Sequence, residues 1–482
     1  MDERKKRKIL SELRRIVGKE YVETDEVAIK LYAMEASGLE SSAIGVVFPE
    51  NTKQISEIVR FAYENDLKIY PQGSATAVSG SSLANPDGII LCFARMNKVI
   101  EYSFLDGFIV VQPGIRLMEI NDFLMKDGYM FPVDPASVKS ATAGGLINTG
   151  GGGIRGALYG TAKEWIMGLE LVIPDAEGSV IRIGCRTPKC YQGYDLVGLI
   201  VGSEGTLGIV TEATLRITPI PENIVTAVGF FDTLEQAMEA VIRIKKSKIV
   251  PYIMEFMDSK SVMHASKYID LDWEVKGNML IASIAGPVEA SEKYLDMLEK
   301  CMRDAGALNV LKAETQEKAE KMRLFDLRRA YYPTAILTAA LSLEKKGAKP
   351  LILLEDVAVP PTKLPEAVKR IRAMESKYNL PLVICGHVGD GNLHPLTWID
   401  AGDKEARKRA WRMFMEIMNI ALDLGGTISA EHGIGLVKRE GLRVEFARKN
   451  SLKALELMRK IKEIFDPKGI LNPGKIFPPD TK

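Results

Sequence analysis

The chain has 482 residues, 46% hydrophobic and 26% charged, an ordinary globular composition with length for about three domain-sized units. Its 64 basic and 63 acidic residues leave a net charge of +1, which requires neither a nucleic acid nor an acidic partner. Five scattered cysteines (Cys92, Cys185, Cys190, Cys301 and Cys385) without C-x-x-C spacing argue against an iron–sulfur cluster, a cysteine zinc site or a disulfide framework, and point to a reducing cytosol.

In chain order, the basic opening "MDERKKRKILSELRRIVG" lacks an apolar core of signal-peptide length and is expected to form a solvated helix. No run approaches the ~18 apolar residues of a membrane span. "IGVVFPENTKQISEIVRFAYENDLKIYPQG" predicts strand, turn, helix, strand, with Thr52 as the cap and Ile55, Ile58, Val59 and Ala62 at helical spacing. "GIILCF" and "GFIVVQPG" predict strands, followed by a helix over "RLMEINDFLMKDG". Residues 134–160 are rich in Gly, Ala, Ser and Thr and show no apolar period, so a functional loop is expected. "WIMGLELVIPDAEGSVIRIG" predicts a hairpin, and Pro219 with Pro221 marks a domain boundary. Beyond it, two strand–helix–strand units predict a ferredoxin-like layer. A helix over 315–342, strands "PLILLEDVAV" and "LVICGHVG", and helices from Leu364, over 403–424 and over 450–465 complete the pattern.

Gly151-x-Gly153-x-x-Gly156 has dinucleotide-fingerprint spacing, with Asp175 about 20 residues on, where an acid is wanted. Its context fails: no β-branched run leads in, and Gly160 breaks any helix after one turn, so a Rossmann site is set aside. Three loops of small residues remain, Pro71–Leu83, 134–160 and Val201–Val210. Together they favour a bed of backbone N–H groups for an elongated dinucleotide. Three of the four histidines, His387, His394 and His432, fall in the glycine-bounded "GHVGDGNLH" and "SAEHGIG". Such concentration beside acids points to chemistry. Two histidines with one carboxylate can hold a divalent metal with open positions.

The ordered motifs "PQGSATAVSG", "DPASVKSATAGGLINTGGGG", "GYDLVGLIVGSEGTLGIVTEATLRITP", "CGHVGDGNLHP", "SAEHGIG" and "FDPKGILNPGKIF" resemble the FAD-linked D-2-hydroxyacid dehydrogenases of the vanillyl-alcohol oxidase superfamily. That group includes D-lactate dehydrogenase, D-2-hydroxyglutarate dehydrogenase and the FAD-binding subunit of glycolate oxidase. The resemblance runs from about Tyr32 to Pro478. It implies an α+β protein, with a two-subdomain FAD-binding domain of the vanillyl-alcohol oxidase (PCMH) type and a ferredoxin-like α+β cap domain. The expected division is 1–40, an N-terminal helical segment; 41–221, the FAD domain; 222–465, the cap; and 466–482, a tail returning to the FAD domain.

The resemblance implies that Pro71, Gly73, Ser74, Ala75, Thr76, Ala77, Ser79, Gly80 and Ser81 hold the FAD pyrophosphate. It implies that Pro135, Ser140, Ala141, Thr142, Gly144, Gly145, Asn148, Gly151 and Gly152, with Gly205, Ile209 and Asn472, line the adenosine and flavin. Family loops often carry Gly-x-Gly-Thr-Gly where this chain has Gly73-Ser74-Ala75-Thr76-Ala77, and alanine fits there where φ is negative. No histidine lies near this loop, so non-covalent FAD is expected, although Cys185 or Cys190 could in principle supply a thioether.

His387, His394 and Glu431 are the implied metal ligands, zinc first, with manganese or iron the alternatives. His432 is the implied general base for the substrate hydroxyl, and the hydride passes to FAD. Arg328, with Arg329 as alternative, is implied to fix the substrate carboxylate. Asn392 would orient the hydroxyl or a metal ligand, and Asp390 reads as a turn residue. The implied reaction oxidises a D-2-hydroxy acid such as D-lactate or glycolate; the alternative is a non-catalytic FAD protein that transfers electrons within a larger redox complex. Electrons need a separate acceptor: an electron-transfer flavoprotein or iron–sulfur subunit by preference, otherwise a quinone, a cytochrome or oxygen. The implied location is the cytoplasm, with any attachment to the inner membrane face made through a partner.

Overall fold

Ile55, Ile58, Val59 and Ala62 are all fully buried on one face of the helix Thr52–Asn65, which covers a four-stranded sheet. The computed structural model describes residues 1–344 and 347–478. Its two compact units are Met1–Gly152, Thr161–Ile220 and Glu431–Lys482 (unit 1), and Gly153–Gly160 and Pro221–Ala430 (unit 2). The chain thus leaves unit 1 within the glycine run and returns eight residues later. Residues 431–465, grouped by sequence with the second domain, lie in unit 1. Residues 479–482 of the tail lie outside the described residues.

Unit 1 contains strands β1 (Val22–Glu23), β2 (Gly45–Val47), β3 (Lys68–Gln72), β4 (Gly88–Cys92), β5 (Val99–Ser103), β6 (Phe108–Val111), β7 (Tyr129–Met130), β8 (Ile166–Val172), β9 (Val180–Gly184), β10 (Ile209–Arg216) and β11 (Thr218–Pro219). One sheet has the order β1-β2-β4-β3, with β4 parallel to both β2 and β3. β4 is buried along its whole length, which explains its unbroken apolar run. A second sheet, β5-β6-β10-β8-β9, is antiparallel throughout, and β11 pairs with β7 in a small third one. The tail extends the first sheet: Ile69 N–H donates to Ile470 O at 2.8 Å, Asn472 N–H donates to Ile69 O at 2.8 Å, and Ile470 and Leu471 are fully buried.

Unit 2 contains β12 (Asn223–Phe231), β13 (Ile253–Met257), β14 (Asn278–Gly286), β15 (Asn309–Ala313), β16 (Pro350–Leu354), β17 (Val357–Ala358), β18 (Val383–His387) and β19 (Asn392–Asp400). The order β15-β12-β14-β13 is the antiparallel ferredoxin-like arrangement, extended by β18, β19 and β16, with β17 on β19.

Several expectations are corrected. Asn51, not Thr52, caps its helix, accepting from Gln54 N–H at 3.0 Å, while Thr52 Oγ1 donates to Glu170 Oε1 at 2.8 Å. The expected loop over 134–160 contains helices Ala143–Thr149 and Gly156–Tyr159. Glycine-rich composition hid them, because their length is too short to show a period. The expected helix over 315–342 is three pieces, Gln316–Lys321, Asp326–Arg329 and Tyr331–Glu344, broken where Arg323 takes φ 57°. Helix Arg439–Arg448 was not anticipated. Cys185 and Cys190 are joined as a disulfide, their Cα atoms 6.2 Å apart across the turn that follows β9. Among the described residues no helix is long and apolar enough to cross a membrane.

Candidate active site

In unit 1 the three small-residue loops are bonded to one another. β3 delivers Gly73 against Thr142, where a Cβ would overlap Thr142 Oγ1, and Ser74 Oγ donates to Ser140 O at 2.5 Å. Thr142 caps helix Ala143–Thr149 by accepting from Gly145 N–H, and Ala141 O accepts from Leu117 N–H at 2.9 Å. A Cβ on Gly144 would come within 2.7 Å of Pro113 Cβ. Gly202 N–H donates to Ile147 O at 2.9 Å and Glu204 N–H to Asn148 O at 2.7 Å. Asn472 Nδ2 ties the tail to two of these loops, through Ser81 O at 2.9 Å and Glu204 O at 2.6 Å. Glu35 secures the first loop, accepting from Gly80 N–H at 2.5 Å and Ser82 Oγ at 2.7 Å.

The remaining residues expected at the cofactor sit on the same framework. Pro71 is within β3, Thr76 and Ala77 continue its loop, and Ala77 O accepts from Ala36 N–H at 3.2 Å. Pro135 O accepts from Val138 N–H at 2.8 Å, and Gly151 O from Ala162 N–H at 2.9 Å. Gly205 takes φ 66°, and Ile209 opens β10. Ala75 takes φ 53°, against the expectation that alanine sits there at negative φ. The loop geometry demands the left-handed region whatever residue fills it.

Four buried oxygens from four segments, Ser79 Oγ, Asn148 Oδ1, Ser203 Oγ and Asn472 Oδ1, have no hydrogen-bond partner among the described residues. Buried polar atoms are ordinarily satisfied. A polar ligand lying across these loops would satisfy them, so the residues present fit a dinucleotide.

The loop carrying Glu431 and His432 is fastened to the same framework. Glu204 Oε1 accepts from Ile434 N–H at 2.6 Å, and Ser79 O accepts from Leu436 N–H at 2.8 Å and Val437 N–H at 3.1 Å. Gly435, at φ 52°, lies so close to Ser79 that a Cβ would overlap the Ser79 carbonyl. Glu431 faces Gly152, whose added Cβ would be 3.1 Å from Glu431 Oε2. His432 Nε2 is 3.6 Å from Glu431 Oε1. Burial pushes the Glu204 carboxyl up to about 7, and burial lowers the Lys475 ammonium to about 8.

In unit 2, His387 closes β18 and His394 lies on β19. Both are 5% exposed, with ring centroids 5.0 Å apart. Each has a buried carboxylate beside Nδ1: Glu255 Oε1 at 2.6 Å from His387, and Asp356 Oδ1 at 3.8 Å from His394. The Glu255 carboxylate, within hydrogen-bonding distance of His387 Nδ1, is of the kind that forms the outer shell of a metal site, whereas Asp356 at 3.8 Å is beyond hydrogen-bond reach of His394 Nδ1. Asp356 also accepts from Asn392 Nδ2 at 2.7 Å, Ser429 Oγ at 3.0 Å and Ala430 N–H at 2.8 Å. Glu431 follows Ala430 directly in the chain. Asn392 Oδ1 is buried without a partner among the described residues, so a donor or cation is wanted there. The donor set fits a divalent metal of the zinc, manganese or iron class.

Arg328 turns inward, Nε donating to Glu255 Oε2 at 2.7 Å, while Arg329 is exposed and paired with Glu320 at 2.6 Å. Burial opposes the Arg328 charge, but Cys385 and Glu255 outweigh it and raise its pKa. Burial pushes the Cys385 thiol up to about 11. Asp390 accepts from Asn392 N–H at 3.3 Å in the turn between β18 and β19. His264 stands apart, edge-on to Trp398 with centroids 5.9 Å apart. Asp175 is a turn acid, accepting from Glu177 N–H at 3.0 Å and Ser179 N–H at 2.9 Å.

Sequence reasoning missed Glu255, Asp356, Glu204 and Glu35. For Glu255 a signal existed: a single acid inside the apolar strand "PYIMEFM". A charge within a buried strand must be partnered.

Residues 43–184 match the model of an FAD binding domain and residues 220–476 that of the C-terminal domain of FAD linked oxidases. The chain is 34% identical to the glycolate oxidase subunit GlcD of Bacillus subtilis (strain 168), over 98% of this chain and 97% of that one. It is 33% identical to a D-lactate dehydrogenase of Archaeoglobus fulgidus, over 89% and 90% respectively. The solved structure of p-cresol methylhydroxylase with substrate bound shares the fold at a TM-score of 0.78, with 16% identity over 99% of this chain and 97% of that one. With both its domain models matched and its nucleotide loops assembled, the chain belongs to the FAD-linked oxidases.

Proposed function

We propose that this protein oxidises a small D-2-hydroxy acid, of the D-lactate or glycolate kind, to its 2-oxo acid. The observation that carries the reading is the hydrogen-bonded run from His387 through Glu255 to Arg328. A metal-ligand histidine and a cation suited to a carboxylate share one buried anion. Relatives named for glycolate and D-lactate oxidation support the substrate class.

When bound, FAD supplies the redox step, and a divalent metal lowers the pKa of the substrate hydroxyl. His387, His394 and Glu431 would hold that metal, zinc first, then manganese or iron. FAD would be non-covalent, on the loop residues of unit 1. Arg328 binds the substrate carboxylate with its terminal amino groups, its Nε being held by Glu255. His432 takes the hydroxyl proton at a ring nitrogen, neutral imidazole being suited to that task near pH 7. Asn392, its Nδ2 fixed on Asp356, offers Oδ1 as an acceptor. Electrons leave to a separate acceptor, by preference a protein partner such as an electron-transfer flavoprotein or iron–sulfur protein. That GlcD is named as one subunit of a glycolate oxidase supports this preference.

The test is anaerobic flavin reduction across a panel of D- and L-2-hydroxy acids. Bleaching by D-lactate or glycolate within seconds is expected. A flavin that no member of the panel reduces would leave a non-catalytic electron-transfer protein as the better description.

A further inference from the structure

Glu255 carries a buried charge that is neither a metal ligand nor a substrate contact. It is 1% exposed, between Met254 and Phe256, both buried. In the antiparallel pairing of β13 with β18 it stands directly opposite His387. Directly opposed residues present their side chains on one face of the sheet. One carboxylate oxygen meets His387 Nδ1 at 2.6 Å, and the other accepts from Arg328 Nε at 2.7 Å. An isolated carboxylate at this burial would be costly, and Arg328 is its counter-charge.

We propose that Glu255 is a positioning residue that sets both the metal-binding and the carboxylate-binding ends of the unit 2 site. The proposal rests on the function proposed above. Through Nδ1, Glu255 fixes the tautomer and ring plane of His387 and assigns ligation to Nε2. Through Nε, it turns the guanidinium so that the terminal amino groups form the fork offered to substrate.

The test uses the FAD-loaded protein and Glu255→Gln, with zinc affinity measured by equilibrium dialysis and elemental analysis, and flavin absorbance as the check on folding. The expected result is a 10–100-fold loss of zinc affinity, as for the loss of other carboxylates behind metal-ligand histidines, with the flavin retained. At saturating zinc, KM for D-lactate rises about tenfold while kcat changes little, the pattern of lost uniform binding. Glu255→Asp, which keeps the charge, recovers part of both. Should Glu255→Gln fail to fold, because Arg328 is left buried and unopposed, Glu255→Gln/Arg328→Gln is compared with Arg328→Gln alone. The double variant is expected to bind zinc 10–100-fold more weakly than the single one. Equal zinc affinity in either comparison overturns the proposal. A wild type that binds no zinc, or whose flavin no 2-hydroxy acid reduces, overturns the functional reading and this proposal together. A wild type that does both beside a Glu255→Gln variant with unchanged zinc affinity and KM overturns this proposal alone.

Discussion

Gly435 N–H lies within hydrogen-bonding distance of both oxygens of Glu204, at 3.0 and 2.9 Å, although the two residues are 231 apart in sequence. A buried carboxylate from a nucleotide loop thereby grips the loop bearing His432. Glu204→Ala strands two N–H groups, those of Ile434 and Gly435. A loss of about 3 kcal/mol in denaturant unfolding is expected, at roughly 1–3 kcal/mol for each unsatisfied donor. Substrate-driven flavin reduction should slow as well. Unchanged stability and rate would show that the His432 loop is held by other contacts.

The same carboxyl predicts a pH effect. Its pKa rises from 4.5 unfolded to about 7 folded, burial being the chief cause, with Lys475 and Glu35 the charged groups facing it. Between those values the folded state binds the extra proton. The contribution is therefore complete below about 4.5 and is lost as pH rises through about 7. Glu204→Gln removes this slope. Unfolding free energies of the two proteins from pH 4.5 to 8 would give parallel curves if the assignment is wrong.

Ala75 holds a left-handed conformation at φ 53° that costs an alanine about 1–2 kcal/mol. Ala75→Gly should raise the midpoint of thermal unfolding and tighten FAD. The comparison is unfolding with and without added FAD. A lower midpoint and weaker binding would mean that flexibility in the unfolded chain outweighs the relieved strain.

His432→Ala is expected to abolish turnover while flavin and metal stay bound. Stopped-flow flavin reduction at a near-wild-type rate would remove His432 from the base role. His387→Ala should lose the metal, and full occupancy by elemental analysis would remove it from the ligand set.

Much of the fold was legible where burial imposes a local period. Ile55, Ile58, Val59 and Ala62 announce their helix, and the repeated strand–helix–strand units announce the ferredoxin-like sheet. The break at Arg323 was not legible, because neither proline nor glycine lies beside it; the proline of that run, Pro333, stands ten residues on, in the first turn of Tyr331–Glu344. Nor was the membership of residues 431–465 in unit 1, which follows from contacts such as Glu204 with Ile434 rather than from composition. In the site, the glycine-bounded histidines stood out by rarity. Glu255 did not, since its meaning lies in two partners 132 and 73 residues away.

The discontinuity of unit 1 has a consequence in time. Its third segment, Glu431–Lys482, supplies the His432 loop and Asn472, and it is synthesised after the whole of Pro221–Ala430. Synthesis proceeds at about 5–20 residues per second, with domains folding as units. The whole of Pro221–Ala430 is therefore available to fold while the nucleotide loops still wait for their closing strand. Cofactor loading is then expected to follow synthesis of that segment. A nascent protein stalled before Ile470 is expected to carry the glycine loops and yet retain no flavin, which flavin absorbance of ribosome-bound chains would check.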